Sequence, residues 1–150
     1  MKTLFETQVF GQKKLRNRIV MAPMTRKQCP DGFPTQEVIN YYTRRGNGGV
    51  GLIFSEGTFI DHPSSQAYKN QSYKNIPFFF GKEPLKGWEK VVKSVHKTGA
   101  AFVPQLWHVG EVRKVESTNS LLSGLGPCNI IKNKKIIVKE MNFDDIQEVI

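Results

Sequence analysis

The 150-residue chain has the length and composition of one globular domain, with 39% hydrophobic and 23% charged residues. Its formal net charge of +9 comes from 22 basic and 13 acidic residues that are spread along the sequence. Because no aromatic-interleaved basic surface and no zinc-finger spacing accompany this charge, we expect no nucleic-acid partner. The densest basic groups, at 13–18 and 132–135, are predicted to be solvated surface.

The cysteines, the histidines and the N-terminus exclude further classes of protein. Cys29 and Cys128 have no CxxC spacing and the three histidines are scattered, so we predict no metal site. Two isolated cysteines in predicted loops also fit a reducing compartment. No apolar stretch reaches membrane-spanning length, and no signal-peptide core follows the first five residues. We therefore expect a soluble cytoplasmic protein with no membrane partner.

The beginning of the chain predicts a hairpin, a strand and a turn. Residues 7–15 are typical of a hairpin with Gly11 at its turn, and residues 18–22 of a short apolar strand. Pro23 has no N–H to donate to a ladder, so it ends that strand. The proline and glycine within 30–32 then indicate a turn.

A helix, a second strand and a long loop follow. Thr35 is the predicted N-cap of a helix whose apolar residues recur at i, i+4 spacing and which ends at a group of glycines. Residues 50–55 are predicted to form a buried strand. About 59–84 is a predicted loop, which at that length is usually functional or disordered. Its aromatic residues, among them Tyr68 and Tyr73, favour an ordered loop.

The next segment contains a helix and the most informative strand. The helix places Trp88 on its core face and has Gly99 as its predicted C-cap. Residues 100–110 begin with an apolar run that is typical of a strand buried on both faces. Polar and aromatic groups at the C-terminal end of such a strand are where α/β folds place their chemistry. The alternative is that Gln105 and His108 merely satisfy loop backbone.

The last part of the chain predicts a loop, a strand and the beginning of a helix. A second long loop runs through 124–127, and residues 135–138 form the predicted strand of an excursion hairpin. Asn142 is the predicted N-cap of a final helix. Asp144 and Asp145 lie in its first turn, where negative charge is favourable to the helix dipole.

The alternation of strands and helices predicts a parallel sheet with right-handed crossovers. The segment after the first such strand has no GxGxxG pattern, so a dinucleotide-binding Rossmann fold is not favoured. In the alternative, a (β/α)8 barrel, the C-terminal ends of successive strands form the site. Residues 23–25, 56–58 and 105–108 would then face one rim.

Four motifs in order resemble the old yellow enzyme family of FMN-dependent ene reductases, which includes the 12-oxophytodienoate reductases. They are NRIVMAPMTR at 17–26, the tyrosine pair at 41–42, SEGT at 55–58 and QLWHVG at 105–110. The resemblance runs from about Leu4 to the last residue and covers about two-fifths of a usual member. It implies that residues 1–150 are one FMN-binding domain: an α/β fold with an N-terminal hairpin and about three βα units of a (β/α)8 TIM barrel.

The resemblance also implies site residues. The cofactor-binding residues would be Pro23, Met24, Thr25, Gly57 and Gln105. The hydroxyl of Thr25 would hydrogen-bond the flavin O4, Gly57 would allow close backbone approach, and Gln105 would offer its amide to the pyrimidine edge. Trp107 would help to wall the substrate pocket. The alternatives are a strand-end cap for Thr25, a turn glycine for Gly57 and a backbone contact for Gln105.

The chemistry of the family implies FMN as cofactor, NAD(P)H as reductant and a small α,β-unsaturated carbonyl compound as substrate. The family's carbonyl-activating pair, proton donor and phosphate site would all lie beyond Ile150. We therefore predict no catalytic residue in this chain and expect little or no activity from it alone.

Three hypotheses follow. The first is the N-terminal piece of an NAD(P)H-dependent ene reductase, from a split, truncated or incompletely predicted gene, which a complementing chain that carries the later strands would favour. The second is a half-barrel that binds flavin or a partner without turnover. The third is a basic, non-catalytic interaction protein, a remnant that kept the sequence of the fold and lost its function. We favour the first as a statement of family.

Overall fold

The computed structural model describes residues 3–65, 74–112 and 124–150. Its strands are β1 (Gln8–Phe10), β2 (Lys13–Leu15), β3 (Val20–Met21), β4 (Leu52–Phe59), β5 (Ala101–Trp107), β6 (Gly124–Gly126), β7 (Ile130–Lys132) and β8 (Lys135–Glu140). Its helices are α1 (Gln36–Asn47), α2 (Lys82–Lys97) and α3 (Phe143–Val149), with short 3-10 helices at Pro30–Gly32 and Gly110–Val112.

The chain divides into two compact units. The first comprises Met1–Thr58 and Asn75–Leu106, and the second comprises Phe59–Lys74 and Trp107–Ile150. The prediction of a single domain over 1–150 is not tested by this division and stays a prediction.

The first unit is built on a three-stranded sheet in the order β3-β4-β5. β3 and β4 are parallel, with Val20 opposite Leu52. The N–H of Ala101 donates to the carbonyl of Gly51 (2.9 Å), and the N–H of Gln105, four residues on, donates to the hydroxyl of Ser55, also four residues on (3.0 Å), so β4 and β5 run in the same direction. Helices α1 and α2 make the crossovers, as the alternating pattern predicts.

The core of this unit lies between the sheet and the two helices. Helical spacing places the buried residues of α1 and α2 on one face of each helix. The buried cluster consists of Cys29, Val38, Tyr41, Tyr42, Ile53, Trp88, Val91, Val95 and Ala100. The indole N–H of Trp88 donates to the carbonyl of Phe78 (2.9 Å), which satisfies the one polar atom of this side chain. The prediction that Trp88 is a core residue is confirmed.

One member of the basic group at 13–18 is a structural residue rather than solvated surface. Arg16 is half-buried, and its guanidinium donates to the carbonyls of Thr98 and Val50, each at 2.7 Å, and to that of Gly46. The prediction of a solvated surface is therefore wrong at Arg16. Its charge is directed at backbone carbonyls that only the folded chain brings together.

The second unit contains a small mixed sheet and α3. β8 pairs with β7 in an antiparallel hairpin and with β6 in parallel. Asn142 accepts from the N–H of Asp145 (2.8 Å), and the Asp145 carboxylate accepts from the N–H of Asn142 (2.9 Å), which completes a capping box. The predicted hairpin strand and N-cap are confirmed. The predicted loop at 124–127 is wrong in part, because β6 lies there.

Other predicted elements are confirmed with shifted ends. Gly11, with φ of 56°, lies at the turn of the β1–β2 hairpin. Thr35 occupies the N-cap position of α1, but its hydroxyl donates to the carbonyl of Gln28 (3.2 Å) and makes no cap bond. The strand predicted at 50–55 is β4, which extends through SEGT to Phe59. Tyr68 and Tyr73 of the predicted long loop lie outside the described residues.

The prediction that 100–110 forms a strand buried on both faces is wrong in its burial. None of the seven residues of β5 is buried, and Leu106 is 59% exposed. Helices α1 and α2 cover one face of the sheet, towards which Phe102 packs. A pattern of hydrophobic residues records what a strand can bury, whereas its exposure depends on which elements cover it.

Candidate functional site

The predicted cofactor residues lie at the C-terminal ends of the three parallel strands of the first unit. Met24 and Thr25 follow β3, Gly57 lies near the end of β4, and Gln105 lies near the end of β5. The C-terminal ends of parallel strands share one edge of a sheet. The topology therefore places these residues at one edge, as the sequence predicts.

The backbone of Gln105 is fastened to β4 while its side chain is exposed. The N–H of Gln105 donates to the hydroxyl of Ser55 (3.0 Å), and the hydroxyl of Thr58 donates to the Gln105 carbonyl (2.9 Å). Both residues of β4 are fully buried. Two hydroxyls thus fix the main chain of Gln105 on both sides of its Cα, which fixes the point at the sheet edge from which its exposed side chain extends.

Two polar groups at this edge are available to a ligand. The side chains of Thr25 and Gln105 are exposed, and neither makes a hydrogen bond to any other described residue. Within the described residues, Thr25 thus caps no strand and the Gln105 carboxamide contacts no backbone group, and the binding role of both stays a prediction. Met24 beside them is 53% exposed and Gly57 is buried. A hydroxyl, a carboxamide and an apolar side chain form a suitable edge for a flat heteroaromatic ligand.

A buried carboxyl group holds the segment that carries Thr25. Glu56 has no exposed surface, and its Oε2 accepts from the N–H of Arg26 (2.8 Å) and the N–H of Lys27 (3.3 Å). The N–H of Glu56 donates to the hydroxyl of Tyr42 on α1 (2.8 Å). The motif SEGT includes Glu56, but sequence reasoning assigned it no role. A single charged residue in an otherwise uncharged buried strand is the signal that could have found it.

Burial controls the electrostatics around this carboxyl group. Desolvation raises the pKa of Glu56, against the opposing effects of the two backbone N–H donors and of the Arg26 guanidinium. That guanidinium lies 4.5 Å from the centroid of the Tyr41 ring. Burial, and secondarily the charge of Glu56, raises the pKa of the Cys29 thiol. Cys29 is therefore a protonated, unreactive core residue.

Trp107, the predicted pocket residue, belongs to the second unit. It is half-buried and stacks on Phe59, with 5.7 Å between ring centroids and 28° between planes. An indole held in this way is a rigid apolar surface. The role of Trp107 as a wall of a substrate pocket stays a prediction.

His108 takes part in a hydrogen-bonded cluster of the second unit, and no sequence motif predicted this cluster. The hydroxyl of Ser64 lies 2.7 Å from His62 Nδ1 and 2.8 Å from His108 Nε2. His108 Nδ1 accepts from the N–H of Gly110 (3.1 Å), which assigns the proton of the neutral ring to Nε2. The cluster fastens the segment before residue 65 to the segment after β5, and His62 is 8% exposed.

Among the residues that the structure describes, no group of three His, Cys, Asp or Glu side chains could hold a metal ion. None of the described helices combines the length and the apolar character needed to cross a membrane.

Residues 3–150 match the NADH:flavin oxidoreductase / NADH oxidase family. The chain is 36% identical over 107 residues to 12-oxophytodienoate reductase 7 of Oryza sativa subsp. japonica, with 71% of this chain and 25% of the relative covered. It is 35% identical over 119 residues to 12-oxophytodienoate reductase 1 of the same organism, covering 79% of this chain and 29% of the relative.

Solved structures agree with these sequence matches. Morphinone reductase in complex with tetrahydroNAD superposes with a TM-score of 0.81 at 25% identity, covering 99% of this chain and 43% of that one. Old Yellow Enzyme from Pichia sp. superposes with a TM-score of 0.78 at 26% identity, covering 97% of this chain and 39% of that one. The chain thus spans about a quarter of the curated relatives and about two-fifths of the solved ones.

The fold is the N-terminal part of the (β/α)8 barrel of these structures, and the described residues form no closed barrel. The order of motifs, the parallel sheet and the matches along almost the whole sequence agree with one another. The chain belongs to the NADH:flavin oxidoreductase / NADH oxidase family, that of the old yellow enzymes.

Proposed function

We propose that this chain supplies one edge of an FMN site in an oxidoreductase that reduces activated C=C bonds at the expense of NAD(P)H. One observation carries the proposal: the exposed Thr25 hydroxyl and Gln105 carboxamide, which have no hydrogen-bond partner among the described residues, lie at the same sheet edge. Family membership supports flavin as their ligand.

The residues at this edge fit the chemistry of a flavin ring. The pyrimidine part of the ring presents both donors and acceptors, and the Gln105 carboxamide offers both as well. The Thr25 hydroxyl can donate to a ring carbonyl oxygen, and Pro23 and Met24 offer apolar surface to the ring, one half-buried and the other 53% exposed. Bound FMN supplies hydride transfer. The protein groups bind the ring, orient it and hold its polar edge.

We assign the remaining functions to a polypeptide that carries the later strands. The proposed substrate is a small α,β-unsaturated carbonyl compound, and its activation and protonation are assigned to that polypeptide, as is the phosphate site. No catalytic residue is assigned here, and we propose that the chain alone is inactive. The exposed Val20 (49%) and Leu106 (59%) on the outer strands of the first sheet offer apolar surface to such a partner.

The two free cysteines support a reducing compartment, and we propose a cytoplasmic location. Cys29 is buried and Cys128 is exposed. An exposed unpaired thiol is more compatible with the cytosol than with an oxidising compartment.

FMN binding is the test. Purified chain titrated into FMN should quench flavin fluorescence saturably, and FMN should raise its melting temperature, because a ligand that binds only the folded state stabilises it. Thr25→Val and Gln105→Leu should each weaken binding by about tenfold, the effect of one lost hydrogen bond of about 1.4 kcal/mol.

The matched controls are Thr7→Val and Gln12→Leu, because both side chains are exposed on or beside the β1–β2 hairpin. Neither change should alter FMN affinity. Equal weakening by the control variants, or no quenching even with the polypeptide that carries the later strands, would reject the proposal. Quenching without NAD(P)H oxidation in that mixture would instead identify a flavin-binding module without turnover.

A further inference from the structure

The segment between β3 and the first 3-10 helix has no regular structure, yet it carries Pro23, Met24 and Thr25, three of the five proposed flavin contacts. Residues 22–29 make no strand or helix. Lys27 has φ of 58°, a left-handed conformation that costs a residue with a side chain free energy unless the surroundings impose it. The conformation of this segment must therefore be held by contacts to other elements.

Glu56 supplies those contacts from inside the sheet. One carboxyl oxygen accepts from two consecutive backbone N–H groups, those of Arg26 (2.8 Å) and Lys27 (3.3 Å). These two residues directly follow Thr25, and the second has the left-handed conformation. An acceptor that binds two successive N–H groups fixes the peptide planes on both sides of Arg26.

Glu56 is itself held rigidly. It has no exposed surface, and its own N–H donates to the Tyr42 hydroxyl (2.8 Å), which joins it to α1. Its other carboxyl oxygen, Oε1, is buried without a hydrogen-bond partner among the described residues. A glutamate that served only to fill the core would be replaced at lower cost by an apolar residue. Burying a carboxyl group with only one hydrogen-bonded oxygen is costly, which indicates that the bonded oxygen has a specific structural role.

We propose that Glu56 is the positioning residue of the flavin edge: its carboxyl oxygen sets the backbone of residues 25–27 and thereby presents the Thr25 hydroxyl to the ring. This inference rests on the proposed function for the identity of the ligand. The role of Glu56 in ordering the segment is a property of the protein without ligand, so it can be measured separately.

The first experiment measures amide hydrogen exchange at Arg26 and Lys27 in the FMN-free chain. Glu56→Ala should lower the protection of both amides by about tenfold or more. Glu56→Gln keeps an acceptor oxygen at the same reach and should retain most of the protection. Glu56→Asp keeps the charge but is shorter by one methylene, and it should lose protection. Glu37→Ala, an exposed glutamate in the first turn of α1, is the control and should change neither amide.

The ranking of amide protection among the three Glu56 variants distinguishes a positioning role from charge neutralisation. If Glu56 only balanced the Arg26 guanidinium, aspartate would be tolerated and glutamine would not. The contrast between the glutamine and aspartate variants also decides the matter if the alanine variant does not fold. Unchanged protection at both amides in a folded Glu56→Asp or Glu56→Ala chain would overturn the inference.

The second experiment is a double-mutant cycle read by FMN affinity. Thr25→Val and Glu56→Ala should each weaken FMN binding by about tenfold, and the double variant should be no more than about twofold weaker than Glu56→Ala, because the hydroxyl is already misplaced. If the two substitutions weaken FMN binding additively, Glu56 does not act through Thr25 and the inference is overturned. If the unmodified chain fails to bind FMN under every condition, the proposed function fails, and the exchange experiment still reports on Glu56.

Discussion

Arg16 joins the ends of two helices through one guanidinium group. It donates to the carbonyl of Gly46 near the end of α1, of Val50 just beyond it, and of Thr98, the C-cap of α2. The last carbonyls of a helix have no partner inside the helix and carry the negative end of its dipole. A planar cation with several donors satisfies such carbonyls better than a compact ammonium group. Arg16 therefore fixes α1, α2 and the start of β4 together.

Replacing Arg16 should destabilise the chain in a graded way. Arg16→Met should lower the free energy of unfolding by about 2–3 kcal/mol, since three carbonyls lose a charged donor. Arg16→Lys should cost about 1–2 kcal/mol, because lysine keeps the charge but not the fork of donors. Urea unfolding measures both, with Lys14→Met on the exposed side of β2 as the control. Equal stability of the methionine variant and the unmodified chain would contradict this account.

The sequence predicted the position of the residues proposed to contact flavin better than it predicted the residues that support them. Thr25 and Gln105 follow from strand ends and from the resemblance, and the structure places both at one sheet edge. Arg16 and Glu56 could not be predicted in the same way. Both side chains bind backbone groups. Because nearly every residue has a backbone N–H and a carbonyl, the sequence does not indicate which of these groups a given side chain will contact.

At the scale of elements, the close approach of α1 to the end of α2 depends on Gly46. This glycine lies inside α1 and is buried. A Cβ added at Gly46 would overlap the hydroxyl of Thr98, which immediately follows α2. The glycines predicted to end the helix thus differ in role, since Gly46 is required by packing and Gly48 forms the C-cap.

Gly46→Ala should destabilise the chain although alanine is the better helix former. Overpacking against Thr98 should cost about 1–3 kcal/mol, against a gain of about 1 kcal/mol in helix propensity. Thermal unfolding measures the net loss. Gly48→Ala is the matched control, since a Cβ there would lie 3.4 Å from the carbonyl oxygens of Arg44 and Arg45. A higher melting temperature for the Gly46 variant would show that helix propensity outweighs the contact.

Helical periodicity predicted α1 and α2 well, whereas strand ends and strand burial were predicted less well. The i, i+4 spacing of Val38 and Tyr42 identifies one buried face, and both residues are 1% exposed. The extension of β4 to Phe59 was missed because a charged residue and a glycine read as the end of a strand. That ending is overridden by two hydrogen bonds that form only after the elements pack: the N–H of Glu56 donates to the Tyr42 hydroxyl, and the N–H of Gln105 donates to the Ser55 hydroxyl.

At the scale of the whole molecule, the β3-β4-β5 sheet is the feature that we expect to decide whether the chain self-associates. Among the described residues, β3 and β5 are its outer strands and each has one strand neighbour. Outer strands offer unpaired N–H and C=O groups to other chains. Apolar side chains accompany them, because Val20 in β3 is 49% exposed, Met24 just after it 53%, and Leu106 in β5 59%. The surface that we propose for a complementing polypeptide can thus also support self-association.

We expect the chain alone to self-associate through this sheet, and Leu106→Lys to suppress it. A lysine on an outer strand opposes edge-to-edge pairing and breaks the apolar surface. Because Leu106 is largely exposed, the change should alter stability by no more than about 0.5 kcal/mol. Sedimentation velocity should then show monomer for this variant at concentrations where the unmodified chain forms larger species. Leu85→Lys, at a position on α2 that is 43% exposed, is the control and should leave association unchanged. Equal suppression by both variants would mean that added charge, rather than the sheet edge, governs association.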